Sequence, residues 1–355
     1  MPGQAGPAEQ GVCNVKAILV GCGGMGRLWT QYLERHSPWD VAAAVDVRPE
    51  ALSAFREQIN YPEGQCFGSL GEALEATEAD AVVVTTSADH HKEVIVPALE
   101  KGLHVITEKP AVTTWEDAVE VAEVARSSKG KLMVSQNYRY YHSALALRRF
   151  VRSGTAGAPA FASVTFQRGR GREAPPLHRA QHGEPFLIEM AIHHFDTMRA
   201  VLGREPVSVY ARSWKPDWSG WRGNANAVCL FEFESGIPVS YTGLWATWRN
   251  HTEFPGSWVI DFEKGQLTWD GGTVTHFDDE GNENVIFDKS EVPTERSVRV
   301  LEGSVKEFTA ALEENREPET NMDDNLKTLA MVFSSIEASK RGYPVQLRAF
   351  MDERV

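Results

Sequence analysis

The chain has 355 residues, with 36 Lys and Arg against 49 Asp and Glu, a formal net charge of −13 at pH 7. That balance excludes a generic nucleic-acid binder, whose affinity rests on cationic surface. A hydrophobic share of 42% with 24% charged residues excludes a disordered chain, and the length exceeds what one core of ordinary size fills, so two domains are expected.

The four cysteines, Cys13, Cys22, Cys66 and Cys229, form no CxxC pair and stand far apart, which argues against a disulfide framework or a structural zinc site. Residues 1–14 lack the basic-then-apolar layout of a secretory signal and read as a flexible tail of small residues. No apolar stretch reaches the length of a membrane span. A cytoplasmic protein with neither a membrane nor a nucleic-acid partner is expected.

In chain order, the apolar run Lys16–Val20 ends in Gly21-Cys22-Gly23-Gly24-Met25-Gly26, and Arg27–Leu33 continues with helical spacing. This is strand, glycine turn, helix in the pattern G-x-G-x-x-G. Gly21 allows the tight turn, Gly23 lets a pyrophosphate approach the backbone and Gly26 permits close helix–strand packing, while the helix N-terminus offers N–H groups to phosphate. A second buried run, Val41–Val45, closes on Asp46, 20 residues beyond Gly26, where a ribose-binding acid belongs. A carboxylate there accepts from both ribose hydroxyls and repels a 2′-phosphate, which favours NAD. Arg48 keeps NADP open, and a plain cap on the turn Asp46–Glu50 is the alternative role for Asp46.

Helices are expected over about residues 50–58, 70–76, 89–101 and 114–127, and strands over about 65–67, 80–86, 103–107 and 131–135. Alternating β and α units with continuously apolar strands specify a parallel, doubly wound sheet of the Rossmann type over residues 15–139. Beyond it the pattern changes. A linking helix over about 140–152 is followed by longer alternating strands at about 161–167, 206–214, 224–234, 237–248, 257–262, 265–269 and 273–277. Two late helices, at about 298–314 and 323–340, complete an α+β domain over 140–355, an open and mostly antiparallel sheet covered by helices.

The chemistry sits at the strand ends. Glu108-Lys109-Pro110 follows a strand directly, at the carboxyl edge where doubly wound sheets bind ligands, so Lys109 is placed for a substrate oxygen. Together with the glycine turn, Asp46, Gln136-Asn137-Tyr138-Arg139 after the last strand, and a late helix carrying histidine, this sequence resembles the Gfo/Idh/MocA oxidoreductases over essentially its full length. The resemblance implies that Lys109 contacts the reacting hydroxyl and the nicotinamide region. It also aligns the family signature Asp-x-Gly-x-His-x-x-Asp with Glu189–Asp196, in which His193 and Asp196 match while Glu189 and Ala191 depart.

On a helix Glu189 and His193, at i and i+4, share a face, and an imidazole titrating near neutrality suits general acid/base work on a sugar hydroxyl. Asp196 is expected to hold the His193 ring or a nearby loop. His194 points about 100° away from His193, and no metal is expected. The catalytic residues are therefore expected to be Lys109, His193 and Glu189. Cofactor contacts are expected from Gly21, Gly23, Gly24, Met25, Gly26, Asp46, Arg48, Thr86, Glu108, Lys109 and Asn137, and substrate contacts from Lys109, Arg139, Arg170, Glu189, His193 and His194.

Two further features stand out. Residues 168–182 form a cationic, glycine- and proline-bearing segment including Arg168, Arg170, Arg172 and Arg179, readable as a strap over the pocket or as a solvated loop. Among ten tryptophans, Trp214, Trp218, Trp221, Trp245 and Trp248 fall on strand ends or connections, where an indole is able to stack on a sugar, although most tryptophans serve cores. The leading expectation is NAD-dependent hydride exchange with a secondary hydroxyl of a sugar, cyclitol or related polyol, in a homodimer or homotetramer as the resemblance implies. The alternatives are an NAD-dependent glycosidase of the same fold and a non-catalytic regulator that senses NAD.

Overall fold

The computed structural model describes residues 14–169, 171–173 and 183–353. Its first half alternates β1 (Val15–Val20), α1 (Gly24–His36), β2 (Trp39–Val45), α2 (Pro49–Ile59), β3 (Cys66–Phe67), α3 (Leu70–Ala76), β4 (Ala81–Val84), α4 (His91–Glu100), β5 (His104–Thr107), α5 (Trp115–Ser127) and β6 (Leu132–Val134). The six strands pair in parallel in the order β3-β2-β1-β4-β5-β6. The order reverses between β1 and β4, and ligands of such sheets bind at that switch point, outside the carboxyl ends. Burial explains the composition: all four residues of β4 and five of the six in β1 are buried, because helices cover both faces of a parallel sheet.

The second half opens with α6 (His142–Ser153) and β7 (Pro159–Gln167). A π turn over Leu187–Ala191 then leads into α7 (Ile192–Leu202). Next come β8 (Pro206–Trp214), β9 (Asn226–Phe233), β10 (Ile237–Leu244), β11 (Ser257–Phe262), β12 (Gly265–Trp269), β13 (Val274–Phe277) and β14 (Glu283–Phe287). The chain closes with α8 (Arg296–Glu313), α9 (Met322–Arg341), β15 (Val345–Gln346) and α10 (Leu347–Asp352). Nine strands form one sheet in the order β14-β13-β12-β11-β7-β10-β9-β8-β15. Only β7 and β10 run parallel; the other neighbours are antiparallel. Alternation in β8 and β9 buries one face and exposes the other, as an antiparallel sheet with one covered face requires.

Two departures from the sequence reading matter for the site. β10 stops at Leu244, short of Trp248, because the Asn226 side chain brackets Ala246, accepting from its N–H at 2.9 Å and donating to its carbonyl at 3.3 Å. Helix α8, although it belongs to the later chain, packs Leu301, Val305 and Phe308 into the same core as Trp29, Tyr32 and Trp39 of the first half. Trp39 Nε1 also donates to Thr309 Oγ1 at 2.8 Å. The two halves are therefore clamped by the returning chain as well as by the segment near residue 139.

Candidate active site

The glycine turn is built for close approach. Gly21 has φ +108°, and a Cβ there would meet the Thr85 and Thr86 backbone at 2.6 Å; one at Gly26 would lie 2.1 Å from the Gly21 carbonyl oxygen. Fold packing thus accounts for both. Gly23 differs, since a Cβ there would meet nothing within 4 Å. Among the described residues nothing fills that space, which fits a pyrophosphate lying on the backbone. α1 begins at once, with Gly24 and Met25 in its first turn and no side-chain cap on its N–H groups, leaving those donors to an anion.

Asp46 stands at the end of β2 and is only 7% exposed. Its Oδ2 accepts from the Cys22 N–H at 3.0 Å, and its Oδ1 accepts from Arg48 N at 3.0 Å and Arg48 Nε at 3.3 Å. It therefore does bond the following turn, and it also locks the glycine turn against β2. A carboxylate offers about four acceptor sites, so capacity remains for ribose hydroxyls. The Arg48 side chain is largely exposed above this carboxylate.

The carboxyl edges of β4, β5 and β6 present a polar set. Among the described residues, Thr86 Oγ1, Asn137 Oδ1 and both amide atoms of Gln136 are buried without hydrogen-bond partners. Buried polar atoms are normally satisfied, so this concentration at the sheet edge fits a polar ligand such as the nicotinamide half of a dinucleotide. Glu108 is directed inward instead: Trp29 Nε1 donates to its Oε1 at 2.8 Å, and burial pushes its carboxyl above the usual range.

His91, which sequence reasoning passed over, lies with Nδ1 2.8 Å from the Pro110 carbonyl and Nε2 3.1 Å from the Thr86 carbonyl. It holds the loop after β4 against the loop that carries Lys109. Burial drives its pKa down to about 4. The only signal in the sequence was an apolar-face position at the start of α4, which does not distinguish a core histidine from any other.

Lys109 reaches across to the second half, where its Nζ donates to the Glu189 carbonyl at 2.9 Å. That carbonyl lies in the π turn ahead of His193, so the ammonium stands beside the helix turn that carries the imidazole. The His193 ring stacks on Tyr138 at 4.0 Å and 11°, fixing its plane. Tyr138 comes from the segment after β6, and it was quoted in the motif without a role. The π turn also modifies the expected i, i+4 geometry. Its hydrogen bonds run over five residues, which takes Glu189 out of strict α-helical register with His193, and the contact made to Lys109 uses the main chain of Glu189. π turns recur at functional sites.

Three expectations need correction. His194 is fully buried; its Nδ1 lies 2.9 Å from the Tyr241 hydroxyl and its Nε2 2.9 Å from the Phe254 carbonyl. One neutral tautomer satisfies both, donating from Nε2 and accepting at Nδ1, and burial lowers its pKa to about 4. It is a core residue and not a substrate contact. Arg139 is likewise buried, donating to both Asp196 oxygens at 2.7 and 2.5 Å and to Asp324 at 3.1 Å, so its guanidinium is not presented to a ligand. Asp196 accordingly holds Arg139 and not the His193 ring. Arg170 and Arg179 lie outside the described residues, while Arg168 rests 4.2 Å from the Phe254 ring centroid and donates to the Thr252 carbonyl.

The profile of the oxidoreductase family with an NAD-binding Rossmann fold matches residues 15–136, and that of the Gfo/Idh/MocA C-terminal domain matches residues 144–268. The chain belongs to the Gfo/Idh/MocA oxidoreductase family. It is 28% identical over 350 residues to protein y4oX of Sinorhizobium fredii, covering 95% of this chain and 96% of that protein. It is 26% identical over 356 residues to D-apiose dehydrogenase of Paraburkholderia graminis, covering 96% and 92% respectively. Inositol 2-dehydrogenases are also among its relatives. In fold it matches an oxidoreductase from Agrobacterium radiobacter solved with NAD+, L-tartaric acid and magnesium, with a TM-score of 0.86 at 21% identity over 95% of this chain and 99% of that one. As a Gfo/Idh/MocA protein it is an oxidoreductase with an NAD-binding domain. Its expected fold class, a Rossmann sheet followed by an open mixed sheet with helices, is the one observed.

Proposed function

We propose that this Gfo/Idh/MocA protein exchanges a hydride between NAD and a secondary hydroxyl of a sugar, cyclitol or related polyol. The observation that carries the reading is the 2.9 Å bond from Lys109 Nζ to the Glu189 carbonyl, which brings a cation from the cofactor-binding edge to the turn preceding His193. Gly21, Gly23, Gly24, Met25 and Gly26 would hold the pyrophosphate, Asp46 the adenosine ribose, and Thr86 and Asn137 the nicotinamide side. When bound, the dinucleotide supplies the hydride acceptor.

The chain supplies the rest. Lys109 stabilises negative charge developing on the substrate oxygen, and His193, held flat against Tyr138, takes the hydroxyl proton as a general base and returns it in the reverse direction. Asp46 supports a preference for NAD, since a second anion beside it is repelled. Relatives named for D-apiose and inositol support the substrate class.

The test is reduction of NAD across a panel of sugars and inositols, with the wild type, Lys109→Ala and His193→Ala. Undiminished turnover in both variants would overturn the assignment. We also place the protein as a cytoplasmic homo-oligomer. The described cysteines Cys22, Cys66 and Cys229 are free thiols, as suits a reducing compartment, and the outer sheet face exposes Tyr210 directly opposite Leu230, with Val228 nearby, an apolar surface suited to a second copy.

A further inference from the structure

Two tryptophans are exposed, where the others are buried or partly buried. Trp29, Trp258 and Trp269 are fully buried, and Trp39, Trp115 and Trp245 nearly so, whereas Trp218 is 37% exposed and Trp248 is 59% exposed. The two exposed indoles are stacked on each other, with centroids 5.1 Å apart and planes 26° apart. Three residues along each segment the geometry recurs, where half-buried Trp221 and buried Trp245 stack at 4.8 Å and 12°. The same two chain segments are thus joined twice, once within the fold by an inner pair and once in water by an outer pair. The inner pair already joins the segments, and the outer pair repeats the contact at the surface.

The indoles are tied to the active-site turn by packing through buried Trp245 and Phe186. Trp245 meets Phe186 edge-on at 5.5 Å, and Phe186 is the residue before the π turn whose Glu189 carbonyl receives Lys109. The outer indoles extend this aromatic series away from the reacting centre. Trp248 is seated by the strap after β7: Gly171 donates to the Thr247 carbonyl at 3.2 Å, and a Cβ at Gly171 would lie 2.4 Å from the Trp248 ring. Exposed Lys215, Asp217 and Arg249 flank the pair. Lysine and aspartate are depleted at protein interfaces, and their polar heads serve as hydrogen-bond partners for sugar hydroxyls beside an aromatic face.

We propose that Trp218 and Trp248 form an outer sugar-stacking subsite, so that the substrate is a glycoside or oligosaccharide with one ring oxidised at Lys109 and His193 and a further ring on the indoles. This rests on the sugar reading above. The test has two arms. In the first, indole N–H resonances of the full-length protein are followed during titration with glucose, maltose and cellobiose, and with Trp218→Ala and Trp248→Ala to assign them. The disaccharides are expected to shift the Trp218 and Trp248 signals at concentrations where glucose does not; signals unmoved by either disaccharide would overturn the subsite.

In the second arm, kcat and KM are compared for each monosaccharide that is oxidised and its glycosides. The outer ring is expected to lower KM by roughly ten-fold, the gain is expected to vanish in Trp248→Ala and to persist in Trp248→Phe, and kcat for the monosaccharide is expected to hold. An unchanged glycoside KM in Trp248→Ala, or dissociation of an oligomer on that substitution, would overturn the subsite. Indole shifts without oxidation of any sugar would instead overturn the oxidoreductase reading of the substrate and leave the subsite standing.

Discussion

Trp29 donates its indole N–H to Glu108 at 2.8 Å, so the helix that follows the glycine turn grips the residue immediately before Lys109. The bond crosses from α1 to the end of β5, and the two functions it joins are dinucleotide binding and the placement of the ammonium. Removing the donor leaves a buried acceptor unsatisfied, at a cost of about 1–3 kcal/mol. Trp29→Phe is therefore expected to lower stability by that amount at pH 7 in urea denaturation. Burial already raises the Glu108 pKa and the Trp29 bond opposes that rise, so the deficit should shrink as pH falls and the carboxyl protonates. A deficit that stays constant as pH is lowered from 7 to below the ordinary carboxyl range would show that packing, and not the carboxylate, carries the effect.

The chemistry is expected to divide between Lys109 and His193. His193→Ala should reduce kcat by about 10²–10⁴-fold, the usual contribution of a general base, while leaving the dissociation constant for NAD near that of the wild type, because the imidazole is carried on α7 of the second half. Fluorescence titration with NADH checks the second expectation. Loss of NAD binding in His193→Ala would place the ring against the cofactor and not the substrate.

Much of this was legible in the sequence, and the limits are physical. The positions of the glycine turn, Asp46 and Lys109 just past strands were legible because strand ends follow local rules, and β8, β11 and β12 fell on their expected bounds because period-2 alternation is strict. β15 was missed, since two residues carry no period. Helix α8 shows an apolar face without revealing which core receives it. Arg139 and His194 were assigned to substrate because the sequence shows a polar residue beside a motif and does not show its partner; Asp196, Tyr241 and Phe254 lie 57, 47 and 60 residues away.

Cofactor choice is expected to turn on Asp46. Asp46→Ser removes the charge that disfavours a 2′-phosphate and leaves Arg48 free of its carboxylate, so kcat/KM with NADP should rise relative to NAD by about ten-fold or more. Because Asp46 also accepts from Cys22 and Arg48 N–H groups, absolute activity with NAD should fall in the same variant. Initial rates with both dinucleotides decide the point; an unchanged ratio would move the discrimination away from this residue.

Arg139 distinguishes a structural from a ligand-binding cation. Its removal strands the Asp196 carboxylate, which is buried, and breaking one side of a buried pair costs about 3–5 kcal/mol. Arg139→Met is expected to show a loss of that order in denaturant unfolding. In protein that remains folded at low temperature, the sugar KM should stay within about two-fold of the wild type. A raised KM without destabilisation would return Arg139 to the pocket.

Acid should unfold the protein partly through His91 and His194. Burial holds both rings neutral, with pKa values near 4 against an ordinary value of 6.5. The unfolded chain therefore binds more protons than the native one between those limits, so stability rises with pH across the window, is fully present above about 6.5 and is lost as pH falls toward 4. Each ring contributes a slope of up to about 1.4 kcal/mol per pH unit there. Urea midpoints from pH 7 to pH 4.5 should fall steeply in the wild type and less steeply in His194→Gln, whose amide has the donor and the acceptor to serve Phe254 and Tyr241 without titrating. A proton on His91 puts a buried positive charge beside the Lys109 ammonium, so protonation should also remove activity before the whole chain unfolds. Activity falling at a higher pH than the denaturation midpoint in the wild type, and less so in His91→Gln, is the expected signature; coincident losses in both proteins would leave His91 a packing residue alone.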